Sequence, residues 1–280
     1  MELNKWLSRI NREFDELGIE PRQRSLKAIM HYSKEFSISI SLSSDTAKKI
    51  FEWFNNRSRV DECKGESFYD SVYFYDSQFW NISIPVIFGT VNIDIFECLY
   101  DMPQIIKDEI CQQDEYANEY VSFFESCFTY SMGLEHLRLN KNFDKQDIQF
   151  LLSGAQELKS ATSILSKNQF DSRAIMNCRM ALEMFFKGYI TLKEGLSDQE
   201  AKKIGHNLYR GLDKVIDVSG YKQLEEIRPY LLIFPEIHER YSEQNLTRLQ
   251  VWDGYRLVHS IGNLIINSIV EEHISSNHRL

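Results

Sequence analysis

Apolar positions along this chain keep two kinds of time. Leu3, Trp6, Leu7, Ile10, Phe14 and Leu17 are spaced by threes and fours, which marks one face of a helix. Gly18 stops that helix and Pro21 follows. From Phe36 to Leu42 apolar residues alternate with serine, the period of a half-buried strand. Ser43-Ser44-Asp45 then supplies a cap for a helix through Ala47, Ile50, Phe51 and Phe54. Residues 67–100 read as sheet: SVYFY, FWNISIPVIF and TVNIDIFECLY are rich in β-branched and aromatic residues, with turns at Asp76-Ser77 and at Gly89. Met102-Pro103 opens a mostly helical stretch to about Leu139. The pattern predicts an N-terminal part with about four strands.

Past Asp144 the period is helical throughout. Ile148, Leu151, Leu152, Ala155, Leu158, Thr162 and Leu165 form one stripe. Ile175, Cys178, Ala181, Leu182, Phe185 and Tyr189 form a second, and Val251, Tyr255, Val258, Gly262, Ile265 and Ile269 a third. The last helix is also apolar at Ile261, Leu264 and Ile266. A helix apolar on several sides is central to a bundle or shared with a second subunit. The fold class expected is therefore α+β: an α+β domain of unassigned role over 1–140, then an all-α up-and-down bundle over 141–280. Asn140–Asp144 is the expected boundary, and the bundle is the expected homodimer contact.

Composition adds little to this picture, but charge does. In 280 residues, 43% are hydrophobic and 13% aromatic, as in a globular protein. The formal net charge of −9 is unevenly spread. Residues 1–60 carry 11 Lys+Arg against 8 Asp+Glu, residues 61–130 carry 2 against 14, and residues 131–280 carry 19 of each. The middle block repels a nucleic-acid backbone; it suits a solvated face or the docking of a basic protein partner. Cys63, Cys98, Cys111, Cys127 and Cys178 are widely spaced, with no C-x-x-C pair, as expected of reduced thiols in a cytoplasm rather than a zinc site or disulfide frame. No apolar run reaches the roughly 18 residues that span a bilayer, and the opening MELNKWLSRINREFDEL lacks the apolar core of a signal peptide. Neither membrane association, metal nor cofactor is expected.

Four groups of residues carry a resemblance. Cys178-Arg-Met-Ala-Leu-Glu183 with Lys187, then Gly205-His206-Asn207-Leu208, then Arg240-Tyr241 after Phe234-Pro-Glu, and the long apolar last helix are similar to motifs of the HEPN superfamily, named for higher eukaryotes and prokaryotes nucleotide-binding. The resemblance spans roughly 144–274. It implies a bundle of four to five helices, often dimeric, found in toxin–antitoxin, antiviral-defence and RNA-processing systems. Many members of the family are metal-independent ribonucleases with an R-x4-6-H motif at the last helix; others have lost it and act as binding or partner modules. This chain departs from that motif. Only two residues separate Arg256 from His259, and ten separate Arg248 from His259. The one R-x6-H string, Arg24 to His31, lies in the N-terminal domain and reads as chance.

The candidate catalytic residues are Arg256, His259 and Asn263, at i, i+3 and i+7 on one helical face. A histidine can take the 2′-hydroxyl proton and an arginine can stabilise the phosphorane; the alternative is a hydrogen-bonded strip in a packed interface. The candidate binding residues are Arg179, Lys187, His206 and Arg240. Arg179, Glu183 and Lys187, spaced by four, read as a surface or interface salt-bridge row. His206 reads as a helix-start residue packed on its neighbour, and Arg240 as the partner of Glu236 or Glu243. Asn92-Ile-Asp94 lacks the Gly-Ser turn and second aspartate of a nucleotidyltransferase. The function expected is an RNA- or nucleotide-recognising or partner-binding module. A ribonuclease using Arg256 and His259, and a structural subunit with an acidic docking face, stand as alternatives.

Overall fold

Helix α1 (Leu3–Glu16) turns Trp6, Leu7, Ile10 and Phe14 inward, each at most 1% exposed. The spacing read from sequence thus becomes a buried face. The computed structural model describes residues 3–17, 19, 21–57, 67–87, 92–140, 142–144, 147–167, 169–195 and 204–277. They fall into two compact units, 1–68 with 85–90, and 69–84 with 91–280.

In the first unit α1 packs with α2 (Pro21–Glu35) and α3 (Asp45–Asn55). Pro21 takes the first helical position of α2, where its missing N–H costs nothing. Ser44 caps α3, its hydroxyl accepting from the Ala47 amide at 3.2 Å. Ala28, Ile29, Ile50, Trp53 and Phe54 complete the core. The strand expected over 36–42 does not form. Ser37 ends α2 at φ +54°, the Ile38 amide donates back to the Ser33 carbonyl, and Ile40 packs on the helices. Alternation supplies the period of a strand but not a neighbour to pair with, and no described strand lies alongside.

The second unit begins with a hairpin of β1 (Ser67–Tyr75) and β2 (Gln78–Pro85). Asp76 and Ser77 both have positive φ, +49° and +61°, as a two-residue turn matching strand twist requires. Two strands are described here rather than about four. Residues 92–101 form turns instead, joined to β2 by one antiparallel bridge between Ile82 and Leu99. The turn expected at Gly89 lies outside the described residues. Helices α4 (Gln104–Cys111), α5 (Asp114–Leu139), α6 (Gln149–Leu165) and α7 (Ala174–Glu194) follow. Then come α8 (Leu208–Ser219), two 3-10 segments (Lys222–Ile233 and Ile237–Tyr241) and α9 (Arg248–Asn277). The fold class is α+β, a small antiparallel sheet followed by a helical region.

Cross-contacts give the helix directions. Glu119 meets Arg256 and Thr129 meets Asn263, so α5 and α9 run parallel. Lys193 meets Glu272, and Phe185 lies against Gly262, so α7 also runs parallel to α9. Asn177 meets Glu157 while Gly188 faces Leu151, so α6 is antiparallel to α7. The segment 204–247 is the return crossing that lets α9 run beside α7. Helix α5, which the sequence reading places in the N-terminal domain, lies along α9, and the compact units do not divide at 140–144.

Phe185 fixes the spacing at the centre. A Cβ on Gly154 of α6 would lie 2.8 Å from its ring, and one on Gly262 of α9 would lie 2.7 Å from it. One aromatic ring nests in two glycine notches, which lets three helices close on it. Among the described residues no helix is long and apolar enough to cross a membrane.

Candidate functional site

Helix α7 is buried on nearly every side, and its charged residues are buried with it. Arg179, Glu183 and Lys187 are 2%, 3% and 7% exposed. Their spacing predicts a surface or interface row; within the chain they are a core cluster. Lys187 Nζ lies 2.8 Å from Glu183 Oε1, and Arg179 NH1 lies 3.3 Å from Glu183 Oε2. The rest of the arginine fork binds main chain: Nε donates to the Pro235 carbonyl at 2.7 Å and NH2 to the His206 carbonyl at 2.5 Å. Those carbonyls belong to two connecting segments 29 residues apart, both drawn onto α7 by one guanidinium. Only Arg has enough donors in a rigid fork for this. Glu236 stands at the rim, 4.0 Å from Arg179.

His206 closes the cluster. Gly205, at φ +60°, makes the left-handed turn before it. Asn207 caps α8 after it, its side chain accepting from the Arg210 amide. The imidazole Nδ1 lies 3.0 and 3.1 Å from the two oxygens of Glu183. His206 stands just before α8, and its ring bonds to Glu183 of the neighbouring α7.

The catalytic candidates are not brought together. His259 is 0% exposed. Its Nε2 lies 3.0 Å from the Tyr69 hydroxyl of β1, and Phe123, Tyr130 and Tyr255 surround the ring. Its Nδ1, the Tyr130 hydroxyl and the Ser126 hydroxyl are buried without a hydrogen-bond partner among the described residues. Burial pushes the imidazole down to about 3, so it is neutral at ordinary pH. Arg256 points the other way, half exposed, to Glu119 at 2.6 Å and Asp253 at 3.8 Å. Asn263 accepts from Thr129 and Asn267 at 2.9 and 2.6 Å. Three residues on one helical face in projection serve three different neighbours.

A polar chain beside His259 carried little sequence signal. Ser71, Tyr255 and Thr162 link hydroxyl to hydroxyl at 2.8 and 2.7 Å, tying β1, α9 and α6 together. Thr162 and Tyr255 stood inside apolar stripes, where a hydroxyl is the one hint available; Ser71 gave none.

Arg240 does not pair with Glu236 or Glu243 as expected; its guanidinium lies over the exposed Tyr241 ring at 4.6 Å. Nearby in sequence is a cleft of about 680 Å³ lined by Phe170, Arg173, Glu243, Gln244, Asn245 and Thr247 among others. Arg248 covers the Phe170 ring at 5.0 Å. The cleft carries both signs of charge.

Among the described residues, no group of three His, Cys, Asp or Glu side chains is placed to hold a metal. Cys98, Cys111, Cys127 and Cys178 are free thiols. Burial pushes Cys98 up to about 11 and Cys127 up to about 12, away from nucleophilic thiolate chemistry. Cys63 lies outside the described residues.

Comparison with family models, with curated proteins and with solved structures found no match for this chain.

Proposed function

We propose that this protein is a cytoplasmic recognition module of HEPN-like type, one that takes RNA, a nucleotide or a partner without cutting RNA, in a prokaryotic defence or toxin–antitoxin setting. The setting rests on the sequence resemblance alone. The observation that carries the absence of cleavage is the burial of His259. A general base must come within hydrogen-bond reach of the proton it abstracts. His259 is sealed by Tyr69 and held neutral, with Arg256 turned away toward Glu119. What the bundle offers to the outside is instead Arg173, His206, Arg240 and exposed aromatic Tyr241, the residue types that bind single strands.

The test is incubation with total RNA and tRNA, with and without EDTA, beside His259→Ala and Arg256→Ala variants. Binding in low salt with intact RNA is the expected result. Cleavage lost in both variants would overturn the reading in favour of a ribonuclease. A structural subunit is the second reading, favoured by the surface that runs from the turns before α4 into α5: residues 92–125 hold nine Asp+Glu and one Lys, and that Lys107 is itself 5% exposed. Failure to bind RNA at low salt, together with retention of a basic protein, would select it.

A further inference from the structure

His206 is held from behind and open in front. Its side chain is 55% exposed, while the Glu183 carboxylate that holds it is 3% exposed. Glu183 is itself pinned by Lys187 on one oxygen and Arg179 on the other, so it has no freedom to follow the ring. A carboxylate only accepts hydrogen bonds. The imidazole nitrogen facing it, Nδ1, therefore carries the proton. In the neutral ring the other nitrogen, Nε2, is then a bare acceptor. Arg179 also binds the His206 carbonyl, and Asn207 caps α8 immediately after; backbone and ring are both fixed. Tautomer and direction are thus set before any ligand arrives, the arrangement by which a buried carboxylate orients a working histidine elsewhere.

We infer that Nε2 of His206 is the contact through which this module reads a ribose 2′-hydroxyl, and so tells RNA from DNA. The hydroxyl is the group that distinguishes the two strands, and as a donor it matches a bare ring nitrogen. A ligand ammonium also donates, but it would meet the two cations, Arg179 and Lys187, packed behind His206. The inference rests on the RNA-recognition reading above, and assigns to it one specificity-determining residue.

The experiment uses the whole 280-residue chain with fluorescein-labelled strands of about 20 nucleotides and identical sequence, one RNA and one DNA, in low salt. Wild type is expected to prefer RNA several-fold. His206→Ala should bind both strands alike, and His206→Gln, whose amide oxygen restores an acceptor, should recover part of the preference. The exposed ring makes both variants tolerable, and melting curves check this. Nitrogen-15 shifts of the His206 ring supply a readout independent of any ligand: the protonated nitrogen should be Nδ1. Protonation at Nε2 instead, or an RNA preference that survives His206→Ala, overturns the inference while leaving RNA recognition standing. Absence of binding to either strand overturns both.

Discussion

His259 shows how one residue sets a pH response. Its imidazole titrates near 3 when folded and near 6.5 when exposed in the unfolded chain. Between those values the unfolded state binds a proton that the folded state refuses, so stability is complete above about pH 6.5 and falls as pH drops toward 3. Each unit of pH in that window removes about 1.4 kcal/mol, or about 2 kcal/mol at pH 5. Melting temperatures of wild type and His259→Phe, compared between pH 7 and pH 5, check this. The wild type should lose more, and equal losses would show that another group controls the acid limb. The α7 cluster makes a second residue-level case. Arg179→Met removes the donors to the His206 and Pro235 carbonyls and leaves Glu183 underpaired, which should cost about 3–5 kcal/mol. Arg179→Lys should rescue little, since an ammonium cannot span three acceptors. Arg228→Ala, which breaks two exposed pairs with Asp213 and Glu225, should barely move the same melting curve. The sequence showed the i, i+4 spacing of Arg179, Glu183 and Lys187 but not their burial. The carbonyls that Arg179 meets belong to His206 and Pro235, 27 and 56 residues away in sequence, and the helices packed round α7 also come from elsewhere in the chain.

At the scale of elements, periodicity was a good guide wherever a face alone decides the structure. The stripes of α1, α6, α7 and α9 in sequence are the buried faces in space, except for Leu17, which lies past the end of α1 and is 70% exposed. The guide failed where an element needs a partner. Among the described residues the Phe36–Leu42 alternation has no strand beside it, and 92–101 turns back after a single bridge to β2. The hydroxyl chain of Ser71, Tyr255 and Thr162 was illegible for the same reason, since it joins three elements that only packing brings together. Packing also gives Phe185 its role. Gly262→Leu would drive a branched side chain into a ring already 2.7 Å from the position of its first carbon. Phe185 is 0% exposed and filled on the α6 side by Gly154, so it has nowhere to retreat. Overpacking of this kind costs about 3 kcal/mol. Denaturant midpoints should show it, and the double variant Gly262→Leu with Phe185→Ala should recover part of the loss. An additive double variant would mean that the two sites do not share this space.

Over the whole molecule, the distribution of charge restricts where a nucleic acid can land. Residues 61–130 carry a balance of −12, from 2 Lys+Arg and 14 Asp+Glu. One of those two cations, Lys107, is buried beside Glu97, so the exposed surface of α4 and α5 is more acidic than the count suggests. Asp108, Glu109, Asp114 and Glu115 are all exposed there. Their field reaches about 10 Å at 0.1 M salt and about 30 Å at 0.01 M, far enough in dilute buffer to repel a strand bound elsewhere on the protein. Replacing the four by Asn and Gln should therefore raise affinity for single-stranded RNA several-fold at low salt. The gain should vanish near 0.3 M, where screening cuts the field off. It should not change the preference between RNA and DNA, because both backbones carry the same charge and only a contact such as the one at His206 distinguishes their sugars. Binding titrations of the two proteins at both salt concentrations separate these effects. An unchanged low-salt affinity would mean that the acidic face lies too far from the bound strand to act on it. A loss of affinity would mean that the face itself takes part in binding, which an anionic strand offers no reason to expect.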